Sequence, residues 1–339
     1  MNYKTVAIIL IVIFTVLLVI DSTPWAREDE RSTEQLYSVT RSMMDTTVTI
    51  AVMGSNETQA HDSIERAFER IQYVDSLMDN YDNTSELSLL NRQGYIKDAN
   101  PDLVYVINMS GHYSESSQGA FDVSILPLLE LWKSKFSPGG TYAAPTGDEI
   151  NETLRLVNYS AIRIDDNNIT MEEDMMLTLG GIAKGYAVDL AVESLVRDRI
   201  ESGFVNAGGD GRYIGQKEEG MPWKVGLQNP EKSEEAVVVM DMEDMAVATS
   251  GNYERYFNEA ARVSHISDPR TGYPSQSLIS ATVIAGTAID ADAFATALFV
   301  MGENEGMEMI EELEGVECLI ITEDKRIIRS SGFSSYESQ

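Results

Sequence analysis

Cysteine is nearly absent from this 339-residue chain: Cys318 stands alone, so no internal disulfide framework and no cysteine-rich metal site can form. Histidine is almost as scarce. His61, His112 and His265 are the only three, too few for a histidine-cluster zinc centre. Positive charge is also short, with 25 Lys and Arg against 55 Asp and Glu, a net charge of −30 and a pI near 4.3. Such a balance excludes nucleic acid as the main partner and excludes a basic membrane-surface patch, because both need clustered cations. The 43% of hydrophobic residues is ordinary, so the acidity does not signal disorder. One large domain or two moderate ones fit the length.

Long apolar runs are missing except at the N-terminus, where Val6–Ile20 is interrupted only by Thr15. These fifteen residues fall short of the ~20 that span a bilayer, and also match a signal-peptide core. Pro24 and Trp25 stand where a cleavage site wants small residues, and no cysteine follows for lipid attachment. With Tyr3 and Trp25 at its two ends, the run is expected to be an uncleaved anchor. Lys4 holds the N-terminus in the cytoplasm and the body is outside. The expected layout is residues 1–21 as anchor, 22–37 as polar tether, 38–333 as one folded domain and 334–339 as a tail. Sequons at Asn56, Asn83, Asn108, Asn151, Asn158 and Asn168 are compatible with export.

In the body, Val39–Met53 alternates around Thr46–Val52 and predicts a strand. Ala60, Ile64, Phe68, Ile71, Val74 and Leu77 recur at steps of three and four, which predicts an amphipathic helix over Glu57–Asn80. Further helices are expected at Pro101–Ser117, Ala183–Arg199, Asp290–Met301 and Glu303–Glu314. Strands are expected at Glu234–Met240, Met245–Thr249, Ser280–Ala285 and Val316–Thr322, the last burying Cys318 as an inert thiol. Helices and strands mix without a strict βαβ rhythm, so the predicted class is α+β in a single compact ectodomain.

Four segments carry candidate chemistry. Thr178-Leu-Gly-Gly-Ile-Ala-Lys184 brings two glycines and a lysine to a helix start, either an anion site or a plain helix entry. Asn206-Ala-Gly-Gly-Asp210 is either a binding loop or a tight turn. Ser264-His-Ile-Ser-Asp-Pro-Arg-Thr-Gly272 sets His265 beside a turn. Asp292 and Thr296, at i and i+4, share one helix face and offer hard oxygens suited to Mg²⁺, or simply an acidic first turn and a packed threonine.

Taken together and in order, these segments resemble the FAD:protein FMN transferase (ApbE) family. The matching residues are Met44-Asp-Thr-Thr47, Tyr81 with Ser85-Glu-Leu-Ser-Leu-Leu-Asn91, Gly119-Ala-Phe-Asp-Val123 and Gly180-Gly-Ile-Ala-Lys-Gly-Tyr186. Asn206–Asp210, Thr249-Ser-Gly251, His265–Gly272 and Asp292-Ala-Phe-Ala-Thr296 complete the set. The resemblance implies a T-fold-like α+β domain that binds FAD across a central cleft with Mg²⁺. It implies transfer of FMN to a threonine or serine hydroxyl of an exported or membrane flavoprotein, with release of AMP. Carried over, Met44, Tyr81, Ala120, Phe121, Asp122, Thr178, Lys184, Asn206 and Ile266 would line the FAD site, with Gly208 and Gly209 close by. Asp292, Thr296 and the carbonyl of Gly181 would hold Mg²⁺, while Asp292 and His265 would serve catalysis, with Asp268 as the alternative base. Two departures stand out: Asp45 replaces the family's usual glycine, and Thr178 a common aspartate. They keep two alternatives open, an FAD pyrophosphatase and a non-catalytic flavin-binding protein.

Overall fold

The computed structural model describes residues 34–338 apart from 219, 231–234, 253–255, 259–262 and 265. The expected anchor, nearly all of the tether, and His265 therefore lie outside the described residues. Among those described, no helix is long and apolar enough to cross a membrane.

An eight-stranded sheet organises the body. In spatial order it runs β1 (Gln35–Met43), β2 (Thr46–Gly54), β6 (Gly203–Ala207), β7 (Asp210–Ile214), β10 (Ala246–Gly251), β13 (Leu278–Ala285), β14 (Glu317–Thr322) and β15 (Ile327–Arg329). From β2 onward each pairing is antiparallel. A small sheet joins β3 (Tyr95–Ile96), β4 (Arg163–Asp165) and β5 (Asn168–Thr170); two hairpins pair β8 (Trp223–Gln228) with β9 (Ala236–Met242) and β11 (Tyr256–Asn258) with β12 (Val263–Ser264). The helices are α1 (Glu57–Met78), α2 (Glu86–Gln93), α3 (Pro101–Ser116), α4 (Leu126–Phe136), α5 (Gly147–Thr153), α6 (Ala183–Arg197) and α7 (Ala288–Glu312).

Strand periodicity divides the core in two. Ala246, Ala248, Val283, Cys318 and Ile320 belong to the cluster shared with α1, α6 and α7. Their neighbours Val247, Ile284, Leu319 and Ile321 belong to a second cluster with Trp223, Leu227, Met240 and Met242 of the β8–β9 hairpin. Both faces of β14 are thus buried, which is why it reads as a continuous apolar run. The α1 residues anticipated by spacing are all buried, each Ile or Phe contributing roughly 1.5–3 kcal/mol. Asn56 caps that helix by accepting the Gln59 N–H.

Three sequence expectations need correction. Val39–Met53 is not one strand: Met44 and Asp45, at φ 50° and 56°, form a two-residue turn between β1 and β2. Both residues take the left-handed region that this turn demands, without the Asn-Gly signal that usually announces it. The strand expected from Glu234 begins at Ala236 and extends to Met242. At the C-terminus, Ser338 N–H donates to the Val239 carbonyl at 2.8 Å and Arg329 pairs with Glu337 at 2.7 Å, so residues 334–338 are part of the folded body. The two helices expected on either side of residue 302 are both present: α7 is broken at Gly302, whose φ of 79° and ψ of −166° are non-helical. The chain from Leu36 onward forms one compact unit.

Cys318 is fully buried on β14, and burial pushes its thiol up to about 12. The thiolate fraction at mildly alkaline pH is negligible. Iodoacetamide at pH 8 is expected to leave the folded protein unmodified and to alkylate one site after denaturation. Mass spectrometry reads both, and rapid alkylation of the folded chain would contradict the placement of β14.

Candidate active site

The site is built where α6 and α7 meet. Gly185 lies in the first turn of α6, where a Cβ would fall 2.3 Å from the Ala288 carbonyl oxygen and 2.9 Å from the Asp292 Cβ. Only glycine allows this approach. Across the contact, the Gly185 N–H donates to Asp292 Oδ2 at 2.9 Å, which fixes this carboxylate near the start of α7. Thr296 follows one helical turn later, its Oγ1 3.3 Å from the Ser250 hydroxyl on β10. Gly181 packs against it: a Cβ there would sit 3.1 Å from Thr296 Oγ1 and 3.3 Å from the Phe121 ring.

Phe121, Gly181, Ser250, Asp292 and Thr296 line a cleft of about 1560 Å³. Drug-sized ligands occupy roughly 300–1,000 Å³, so this space suits a dinucleotide. Met44, Tyr81, Ala120, Phe121, Asp122, Thr178, Gly181, Lys184, Asn206, Ile266, Asp292 and Thr296 all line it, as do Asp45, Gly208 and Gly209. Apart from the alternative base Asp268, every described site residue expected from the sequence is therefore gathered in one place. His265 lies outside the described residues, although Ile266 and Ser267 beside it reach the cleft wall. Asp268 does not line the cleft; its carboxylate holds Arg270 through contacts of 3.0 and 3.1 Å. It is thereby engaged as a turn anchor rather than presented as a base.

Several neighbours refine these assignments. Lys184 is ion-paired with Asp210, a carboxylate only 1% exposed, so its charge is already partly matched. Asp122 holds the loop rather than offering a bare carboxylate. Oδ1 accepts from the Ser124 N–H and hydroxyl at 2.8 and 2.6 Å, and Oδ2 from the Tyr159 N–H at 3.0 Å. Burial nonetheless holds its carboxyl above the usual range, despite these hydrogen bonds. Thr178 Oγ1 accepts the Gly180 N–H and donates to Asn80 Oδ1, each at 3.3 Å, tying the glycine segment to the end of α1. Tyr81 is 63% exposed at the mouth, with the Lys133 ammonium 4.8 Å from its ring centre. The sequence offered no signal for Lys133 or Asn80, whereas Asp210 stood at the end of a segment already singled out.

Among the lining residues, six carboxylates (Asp45, Asp75, Asp79, Asp122, Glu130, Asp292) face two cations, Lys133 and Lys184. An anionic ligand entering this cleft needs additional positive charge. The donors on its wall suit a hard divalent cation: the Asp292 carboxylate and the Thr296 hydroxyl are oxygens, beside the Gly181 backbone. Among the described residues no group of three or more His, Cys, Asp or Glu could hold a metal alone.

Residues 44–320 match the model of the ApbE family. The chain belongs to that family. Among curated ApbE-family relatives, the Vibrio cholerae FAD:protein FMN transferase is 29% identical over 91% of this chain and 92% of its own length. The Haemophilus influenzae FAD:protein FMN transferase is 32% identical over 80% and 81%. Among solved structures, the Thermotoga maritima ApbE protein superposes with a TM-score of 0.82 at 32% identity, covering 90% of this chain and all of that one. The Vibrio cholerae flavin transferase ApbE gives 0.75 at 28% identity, covering 89% and 99%.

Asp45 holds a left-handed backbone conformation in the Met44–Asp45 turn. At φ 56° glycine is the unstrained choice, and aspartate is tolerated at some cost. Asp45 also adds to the charge around Asp75, whose carboxyl is held above its ordinary value first by burial, then by Asp79 and Asp45. A raised carboxyl favours folding most below its unfolded value of 3.8, and that contribution is lost as pH rises through the folded value. Asp45→Gly removes the strain at every pH and part of this loss only when Asp75 is ionised. Urea titration should show a gain of roughly 0.5–1 kcal/mol at pH 7 and a smaller one at pH 4. A loss at pH 7 would contradict this account of the turn.

Proposed function

We propose that this chain transfers FMN from FAD to a threonine or serine hydroxyl of a partner flavoprotein and releases AMP. The observation that carries the proposal is the convergence of Asp292, Thr296, Gly181 and Lys184 on one wall of a dinucleotide-sized cleft. The relatives' shared name, FAD:protein FMN transferase, supplies the substrate pair.

In this reaction the acceptor oxygen forms a bond to the FMN phosphorus while the pyrophosphate P–O bond to AMP breaks. The hydroxyl proton passes to a base and then to solvent or product. Phosphoryl transfer of this kind depends on positioning and charge neutralisation more than on covalent help from protein. Asp292 and Thr296, with the Gly181 carbonyl, would hold Mg²⁺. When bound, that ion supplies the positive charge needed by the pyrophosphate and by departing AMP. Lys184, steadied by Asp210, adds a cation at the same wall. Asn206 with the Gly208-Gly209 turn borders the cleft and lets backbone approach the ligand. Tyr81 offers an exposed ring at the mouth for stacking, and Phe121 an apolar wall.

His265 is the proposed base. An ordinary imidazole value near ~6.5 suits proton removal at neutral pH, and its neighbour Ile266 borders the cleft. We further propose that Val6–Ile20 anchors the chain in the membrane, with the catalytic domain outside the cytoplasm; the apolar run and Lys4 ahead of it support this topology.

The test is to incubate the protein with FAD, Mg²⁺ and a threonine-bearing acceptor and to follow acceptor mass and AMP together. Wild type is expected to add one FMN per AMP released. Asp292→Ala should lower the rate by at least about 100-fold. AMP without an adduct would identify a pyrophosphatase instead. FAD binding with neither product would identify a non-catalytic flavin carrier.

A further inference from the structure

A buried carboxylate outside the cleft ties its two helices together. Asp189 lies on α6, one helical turn beyond Gly185 and on the same face, and is 6% exposed. Its two oxygens reach across to the start of α7, where Oδ1 accepts the Ala288 N–H and Oδ2 the Ile289 N–H, each at 2.9 Å. These are two of the amide groups that a helix start leaves without an intrahelical partner. The third, Asp290 N–H, goes to the Thr287 side chain at 3.3 Å. Arg212 on β7 completes the arrangement, its Nη1 2.7 Å from Asp189 Oδ1. Arg212 and Asp210 are two residues apart and so project from the same face of β7. One therefore holds Asp189 and the other Lys184, both on α6.

We infer that Asp189, oriented by Arg212, is a positioning residue that sets the register of α7 against α6 and thereby aims Asp292 and Thr296 into the cleft. Ordinary capping would be met by any acceptor of the first-turn amides, and α7 already has Thr287 as its cap. What Asp189 adds is a cross-helix link at Ala288 and Ile289, beside the close approach of Gly185 to Ala288. It acts beside the Gly185–Asp292 hydrogen bond and the Tyr113–Asp290 hydrogen bond of 2.6 Å, and holds the two amides at the start of α7 that neither of those reaches. Charge matters as well as shape. The carboxylate stands between the guanidinium of Arg212 and the positive end of the α7 dipole, each of which would repel the other without it. Asparagine in its place keeps the volume but turns an N–H₂ donor toward a group of donors.

The inference rests on the proposed function only in taking Asp292 and Thr296 as the metal-holding pair. Its test is therefore read in two ways on the full-length chain. Amide exchange over residues 286–296 reports the register directly, and Mn²⁺ binding followed by electron paramagnetic resonance reports its consequence. In Asp189→Asn, exchange over that segment should accelerate, and Mn²⁺ should bind about tenfold or more weakly. Ile71→Val, a core change on α1 away from both helix starts, should leave both readings as in wild type. If Asp189→Asn does not fold, Arg212→Lys, which keeps the charge but loses the planar fork, should show the same two effects to a smaller degree. Unchanged exchange and unchanged Mn²⁺ affinity in the folded variant would overturn the inference. So would an equal loss of Mn²⁺ affinity in Ile71→Val. Failure of wild type to bind Mn²⁺ at all would count against the proposed function, while the exchange comparison still decides the role of Asp189.

Discussion

The absence of a side chain at residue 185 is the constraint on which the cleft depends. It lets α6 lie against the first turn of α7 so closely that one backbone amide reaches the Asp292 carboxylate. Once the two helices are in contact there, the glycine segment 180–181, Lys184, Asp292 and Thr296 must share one wall. Because these groups stand on or beside regular helices packed on a sheet, little freedom remains for their relative positions. Both core clusters serve the same end: one presses the helices onto the sheet, and the other backs the sheet with the β8–β9 hairpin.

Electrostatics gives the arrangement its chemical direction. The protein is strongly anionic, and the cleft repeats that excess locally, with one of its two cations already opposed by Asp210. A pyrophosphate entering such a site meets repulsion unless a divalent cation accompanies it. On the proposed function, the cleft would therefore favour the metal complex of its ligand over the bare anion.

Much of this was legible along the chain. The spacing of Ile64, Phe68, Ile71 and Val74 identifies α1 because burial on one helix face leaves a local periodic trace. Gly302 marks a break, and Asp292 with Thr296 share a face, for equally local reasons. What escaped depends on contacts distant in sequence. The Met44–Asp45 turn uses residues that disfavour its geometry, so neither announces it. Asp189 reads as an ordinary helical residue until α7, about a hundred positions later, arrives to accept its support. Asp268 looked available as a base because its ion pair with Arg270 depends on how the turn closes, not on either residue alone.

The most direct measurement of the central claim is a crystal structure with FAD and Mn²⁺, using anomalous scattering to locate the ion. A peak within coordination distance of Asp292 and Thr296, and touching the pyrophosphate, is the predicted result. A dinucleotide seated in the cleft with the manganese elsewhere, or with no manganese at all, would contradict it.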